Sequence, residues 1–128
     1  MGQILISAAH KSSGKTIVST GICAALHAQG KTVQPFKKGP DYIDPMWLSA
    51  AARRSCYNLD FWTQSDQEIL QLFESKSKSS DISIIEANKG LYDGLALDGS
   101  NSNAALAKLL DSSVVLILDC RGTIRGIA

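Results

Sequence analysis

Three observations predict an α/β fold with a mostly parallel sheet flanked by helices. Short apolar runs of strand length alternate with segments of helical periodicity. Those runs are close to continuous in Ile, Leu and Val, as strands covered on both faces must be. Between the first run and the first helical segment lies a tight loop ending Gly14-Lys15-Thr16.

Taken in order, residues 3–9 are the first predicted strand. Residues 16–29 are predicted as helix, with Val18, Ile22, Ala25, Leu26 and Gln29 near one stripe, Cys23 packed beside them and Gly30 just past the C-cap. Residues 31–36 are the second strand. Residues 37–45 hold two prolines and a glycine and read as loop. Asp44 ahead of Pro45 predicts the cap and first turn of a short helix to about residue 53. Residues 54–62 are expected to be irregular. Ser65-Asp66-Gln67-Glu68 has the capping-box pattern, opening a helix to about residue 77 with Ile69, Leu70, Leu72 and Phe73 inward. Residues 81–86 are the third strand, 87–101 a Gly/Asp/Asn loop, 103–110 a short helix and 113–119 the fourth strand. Residues 121–128 begin an element that does not finish. Four strands would leave the sheet with an unprotected edge.

Composition bounds the function. The 128 residues suffice for one small domain with a core. A net charge of +1 gives no electrostatic case for nucleic acid or an anionic membrane. Three cysteines, Cys23, Cys56 and Cys120, lack metal-type spacing and fit a reducing, cytoplasmic setting. No signal-peptide pattern is evident, and no apolar run nears the roughly 20 residues of a membrane span.

The loop 8–16 organises the rest. Strand, tight loop with Gly-Lys-Thr, then helix is the context of a phosphate site, and predicts a P-loop NTPase-like fold. The first N–H groups of a helix lack intrahelical partners and carry the positive end of its dipole, so an anion docks there. His10, Lys11, Ser12, Ser13, Gly14, Lys15 and Thr16 are the candidate nucleotide-binding residues for ATP. Lys15 would reach the β- and γ-phosphates, and the Thr16 hydroxyl would ligate Mg²⁺. Ala9 stands where the strict pattern has glycine. A Ser/Lys-rich turn capping a helix is the competing reading.

In such sheets ligands sit beyond the carboxyl ends of the strands. There the sequence gathers the phosphate loop, Lys37 and Asp41, Glu86, then Asp119 and Arg121. Thr16, Asp41 and Glu86 could give Mg²⁺ a hydroxyl and two carboxylates. Against this, Glu86 could be a strand-end carboxylate facing water and Asp41 an ordinary turn residue. Lys37 could neutralise a transferring phosphoryl group, or be a solvated lysine beside Lys38. His10 could act as a general base or only contact solvent or nucleotide. Tyr42, Trp47, Tyr57, Trp62 and Tyr92 are expected to pack rather than stack on a base. From the residues alone the reading stops at a Mg-nucleotide phosphate-transfer domain.

The segment Phe36-Lys37-Lys38-Gly39-Pro40-Asp41-Tyr42-Ile43-Asp44-Pro45 resembles the Phe-Lys-x-Gly-Pro-Asp-Tyr-Ile-Asp-Pro motif of the cobyrinic acid a,c-diamide synthase family, glutamine-dependent amidoligases of cobalamin synthesis. Three further stretches are similar to family motifs in the same order: Asn58-Leu59-Asp60, Glu86 with Gly90-Leu91-Tyr92-Asp93-Gly94, and Asp119-Cys120-Arg121-Gly122. The resemblance implies that ATP phosphorylates a carboxylate of a corrin acid and that ammonia, from glutamine hydrolysed in a separate C-terminal domain, displaces the phosphate. It implies Lys15, Lys37 and Asp41 as catalytic residues, with Asp41 and Glu86 on Mg²⁺. It sets Tyr42, Asp44 and Asp93 toward the corrin.

Departures are Ala87 for a usual Gly, Lys89 where an apolar residue is common, and Lys11 and Ser12 where Ser and Gly are frequent. The family's enzymes are several-fold longer, so the resemblance implies an incomplete synthetase domain over residues 1–128, without the glutaminase domain, and a possible homodimer. Alternatives are amidation of another tetrapyrrole of sirohaem type, a dethiobiotin synthetase-like ligase acting on a diamine and CO₂, a partitioning ATPase, or a non-catalytic ATP-binding remnant. The partitioning ATPase is disfavoured because its signature lysine position holds His10.

Overall fold

The computed structural model describes residues 2–127. Its element order is β1 (Gly2–Ala8), α1 (Lys15–Ala28), β2 (Val33–Lys38), α2 (Asp44–Ala52), β3 (Tyr57–Leu59), α3 (Asp66–Ser77), β4 (Ile82–Glu86), α4 (Asn103–Leu110) and β5 (Ser113–Ile117), followed by a 3₁₀ turn at Arg125–Ile127. The five strands form one sheet in the order β3-β2-β4-β1-β5, with every pairing parallel. This is a P-loop NTPase-like α/β fold, as the alternation of runs predicts.

Successive strand residues point to opposite faces, and the core divides accordingly. Leu5, Phe36 and Ile85 point to the face covered by α3 and α4, where they meet Ile69, Phe73, Leu106 and Leu110. Ile6, Val33 and Ile84 point to the other face, where they meet Cys23, Leu48 and Ala52 of α1 and α2. The central strands bury apolar side chains on both faces because helices lie on both.

Four details differ from expectation. The segment around residues 57–59, expected to be irregular, is a short edge strand, because Tyr57, Asn58 and Leu59 pair in register with Phe36, Lys37 and Lys38. The sheet therefore has five strands, not four. The second strand runs two residues further than predicted, so Lys37 and Lys38 lie within it and are buried. On α1 the buried stripe is Lys15, Ser19 and Cys23, at helical i, i+4 spacing; of the expected residues Cys23 packs as predicted, Val18, Ile22 and Leu26 are half-buried, and Ala25 and Gln29 are exposed. The helix is turned so that Lys15 faces the site, and that turn fixes the rest of the stripe. Asp44 does not cap α2: the capping position is Ile43, and Asp41 Oδ1 instead accepts from the N–H groups of Ile43 and Asp44 at 2.9 and 3.2 Å.

Other expectations hold, that of the aromatics excepted. Ser65 and Glu68 form a reciprocal capping box on α3; the Ser102 cap on α4 is a further feature, not read from the sequence. The three cysteines are free thiols. Among the described residues no helix is long and apolar enough to cross a membrane. β5 is an open edge, with Val114, Val115 and Leu116 each 40–45% exposed, a degree of exposure that apolar residues on the inner strands do not share. Of the five larger aromatics expected to pack, Tyr42, Trp47, Trp62 and Tyr92 are instead exposed: Tyr42, Trp62 and Tyr92 lie in loops and Trp47 on α2.

Candidate active site

The site is built where β1, β2 and β4 end. β1 gives way to a loop in which Ser12 (φ 61°) and Gly14 (φ 92°) take left-handed conformations. Gly14 is the N-cap of α1 and supplies no side-chain cap. A Cβ there would meet nothing, so the backbone conformation, not crowding, calls for glycine. The first N–H groups of α1 are thus offered to whatever docks at the loop. Lys11, Ser12, Ser13, Gly14, Lys15 and Thr16 line a cleft of about 420 Å³ together with Lys37, Asp41, Asp44, Glu86, Asn88 and Lys89.

Four side chains meet at the floor of this cleft. Thr16 Oγ1 donates to Glu86 Oε1 at 2.8 Å and lies 3.3 Å from Asp44 Oδ2. Lys37 Nζ is 2.9 Å from Asp44 Oδ2 and 3.1 Å from Glu86 Oε1, and it donates to the Ala87 carbonyl at 3.2 Å. Asp41 Oδ2 stands further off, 3.9 Å from Lys37. Glu86 is fully buried, and among the described residues its Oε2 has no hydrogen-bond partner. Neither bland sequence reading survives here: Glu86 does not face water, and Lys37, 3% exposed, is not solvated.

The electrostatics follow from burial and charge. Burial pushes the Glu86 carboxyl above its ordinary range, against the pull of Lys37 and Thr16. Burial acts to lower Lys37, but Glu86 and Asp44 outweigh it and hold the ammonium above its usual range. Burial acts to raise Asp44, but the hydrogen bond and charge of Lys37 outweigh it and hold the carboxyl low. Lys15 is depressed by burial and by Lys37, with Glu86, Asp44 and Asp93 opposing. A cleft with Asp44 and Lys37 held ionised at its floor, Glu86 beside them and Lys15 in its wall suits a polyphosphate with a hard divalent cation. The unpartnered Glu86 oxygen beside a threonine hydroxyl is the donor set Mg²⁺ takes, since that ion binds few protein oxygens and keeps waters and phosphates as its other ligands.

Two loops hold the cluster. A Cβ on Gly90 would lie 2.7 Å from the Ala9 carbonyl oxygen, and Leu91 N donates to Ala8 O at 2.8 Å. The 90–94 segment is therefore pressed onto the base of the phosphate loop. Asn58 Nδ2 donates to the Asp41 carbonyl at 2.9 Å, and a Cβ on Gly39 would collide with the Asn58 side chain. Asn58 thus clamps the 39–41 loop, a role that only its place in a shared motif hinted at. Ala87, where the resemblance leads one to expect glycine, is fully buried, its N–H donating to Ile6 O.

The remaining sequence-predicted residues are spread. His10 is exposed, with Nδ1 2.9 Å from the Lys11 carbonyl oxygen, and does not line the cleft. Tyr42 is exposed on the loop before α2. Asp93 Oδ2 accepts from Gly90 N at 2.8 Å and lines a second cavity of about 570 Å³ next to the first. Asp119 lies at the β5 end, paired with Arg121 at 2.7 Å and held down to about 2 by that partner, apart from the cluster.

No protein-family model matches the chain. Among curated proteins it is 51% identical over 126 residues to a cobyrinate a,c-diamide synthase of Magnetococcus marinus. It is 45% identical over 121 residues to one of Listeria monocytogenes, and 40% identical over 127 residues to one of Methanocaldococcus jannaschii. These alignments cover 98, 93 and 98% of the chain. The chain belongs to the cobyrinate a,c-diamide synthase family. It spans about a quarter of the length of these relatives, 27–28%.

Proposed function

We propose that this segment is the nucleotide-binding part of a ligase that amidates the a and c side-chain carboxylates of cobyrinate with ATP. A substrate carboxylate oxygen attacks the γ-phosphorus, ADP leaves, and an acyl phosphate results. Ammonia then attacks the acyl carbon, inorganic phosphate departs with the C–O electrons, and a proton is lost to leave the amide. Ammonia would come from glutamine, hydrolysed in a part of the full-length protein outside this segment.

The observation that supports the reading best is the joining of Thr16, Lys37, Asp44 and Glu86 under the phosphate loop. Thr16, Glu86 and, in place of the Asp41 that the sequence suggests, Asp44 are the residues that would hold Mg²⁺, so Asp44 serves the metal and not the corrin; Asp41, its Oδ1 taken by the Ile43 and Asp44 N–H groups and its Oδ2 3.9 Å from Lys37, would stand further out. Bound there, the metal would supply charge neutralisation at the β- and γ-phosphates. Lys15 and the loop N–H groups would grip those phosphates. Lys37, already ionised and aimed at the same point, would stabilise charge on the transferring phosphoryl group. Positioning and charge are the main contributions such a transfer needs.

The test uses the full-length protein carrying this segment, with Mg-ATP and ammonia. The expected result is amide formation on cobyrinate and stoichiometric ADP. Turnover only with a sirohaem-type tetrapyrrole would shift the substrate. Turnover only with a diamine and bicarbonate would replace the reading with a dethiobiotin synthetase-like one, and no ATP turnover with any acid would leave an ATP-binding remnant.

A further inference from the structure

The second cavity, about 570 Å³, opens beside the phosphate cleft and shares Asn88 and Lys89 with it. Lys38 lies in its wall. The residue is 6% exposed, yet among the described residues no carboxylate stands within 4.0 Å of its ammonium. Among the described residues its one hydrogen bond goes to the Asn101 carbonyl at 2.7 Å, and the Phe61 ring lies beneath it at 5.8 Å. An ammonium carries three donors, so two remain. The acids nearby are engaged elsewhere. Both Asp60 oxygens accept, from Trp62 N at 3.0 Å and Thr63 Oγ1 at 2.8 Å. Asp93 accepts from Gly90 N.

A buried charge is normally paired, because desolvating it alone is costly. Burial accordingly pulls the Lys38 pKa down. A cavity wall that keeps such a group next to a reaction cleft provides a place for an anion from outside the protein. Lys89, held at φ 47° on the rim common to both cavities, adds a second positive charge on the path between them.

We propose that Lys38, with Lys89 at the rim, binds a second carboxylate of a polycarboxylic acid substrate and so determines which carboxylate reaches the phosphate cleft. The inference rests on the proposed activation of an acid at Lys37. It adds a specificity-determining pair one strand residue and one loop away from the reacting atoms. Trp62, exposed at the same cavity, offers an aromatic face to a large planar ring.

The experiment measures binding of cobyrinate and, separately, of Mg-ATP to the full-length protein, in wild type, Lys38→Met and Lys38→Arg. Lys38→Met is expected to weaken cobyrinate about tenfold or more, the loss of a charge-assisted bond, with Mg-ATP affinity unchanged. Lys38→Arg is expected to retain most of the affinity. In the wild type, cobyrinate should slow acetylation of Lys38 read by peptide mass spectrometry, and Mg-ATP alone should not. That footprint decides the matter even where Lys38→Met fails to fold. Unchanged cobyrinate affinity in a folded Lys38→Met, or protection by Mg-ATP alone, overturns the carboxylate subsite and leaves the ligase reading intact. A wild type that binds Mg-ATP but no cobyrinate overturns both.

Discussion

Lys37 and Asp44 face each other at 2.9 Å across the junction of β2 and α2, joining the strand that ends at the site to the helix that leaves it. Because Lys37 holds Asp44 below its ordinary range, the pair is ionised in the folded protein. A carboxyl depressed in the fold contributes stability that is full above its unfolded value near 3.8 and is lost as pH falls through the folded one. Asp44→Asn should therefore lower stability at pH 7 by about 1 kcal/mol, the pair being partly solvated and Lys37 keeping Glu86. The difference from wild type should shrink below pH 4 and vanish in stronger acid. Urea unfolding across pH 3–7 reads it; a difference that stays constant with pH would show that Asp44 acts through packing.

Glu86 behaves in the opposite sense. Its carboxyl is raised by burial, so the fold favours the neutral form. Stability from this group is greatest below its unfolded value near 4.5 and declines as pH rises through the folded one. Glu86→Gln keeps an oxygen for Thr16 and Lys37 and removes the charge. It should melt at or above the wild-type temperature at pH 7, while Mg-dependent nucleotide affinity falls about tenfold or more, as a charge-assisted ligand is lost. Such an exchange of function against stability is the mark of a site carboxylate. A destabilised variant with intact nucleotide binding would make Glu86 structural.

Lys15 is depressed by burial and by the neighbouring Lys37, so the empty fold gains little from its charge. Lys15→Ala should leave the far-UV circular dichroism and melting temperature near wild type. Nucleotide affinity should fall about 10- to 100-fold, one or more charged hydrogen bonds to phosphate being lost. Titration with a fluorescent ATP analogue measures it. Unchanged affinity would remove the phosphate-loop argument.

The residues that sequence placed well are those whose neighbours dictate them. Thr16 and Glu86 each close a local pattern, a Gly-Lys-Thr turn and an apolar strand, and they meet at 2.8 Å although 70 residues apart. Asp41 and Asp44 share one loop, and only tertiary packing decides which of them turns to Lys37. The Asp-Pro pair suggested that Asp44 was committed to a cap. Asp41 takes that work through its own Oδ1, which frees Asp44 for the site. The burial of Lys37 and Lys38 was hidden because their charge argues for loop, and β3, only three residues long, is defined by its partner more than by itself. The inward face of α1 is legible at Ile22, Cys23 and Leu26 but not at Lys15, since a stripe drawn through the apolar residues ignores a lysine that must face inward.

The glycine at position 90 gives the sharpest structural test, because it couples two loops by contact alone. Its Cβ-free face lies on the Ala9 carbonyl, where a methyl group would sit at 2.7 Å from the oxygen, and on Asp93 Oδ2 at 2.9 Å. The first obstacle is backbone and cannot swing aside. Gly90→Ala must push the 90–94 segment off the end of β1, which weakens the Leu91 N–H bond to Ala8 and loosens the base of the phosphate loop. Overpacking of this kind costs about 1–3 kcal/mol. The expected variant is folded, less stable by that amount, and weaker for Mg-ATP, although position 90 lines neither cavity. Hydrogen exchange should rise at residues 8–14 before it rises in β4. Faster exchange confined to residues 90–94, with nucleotide binding untouched, would show that the two loops are adjacent without being coupled.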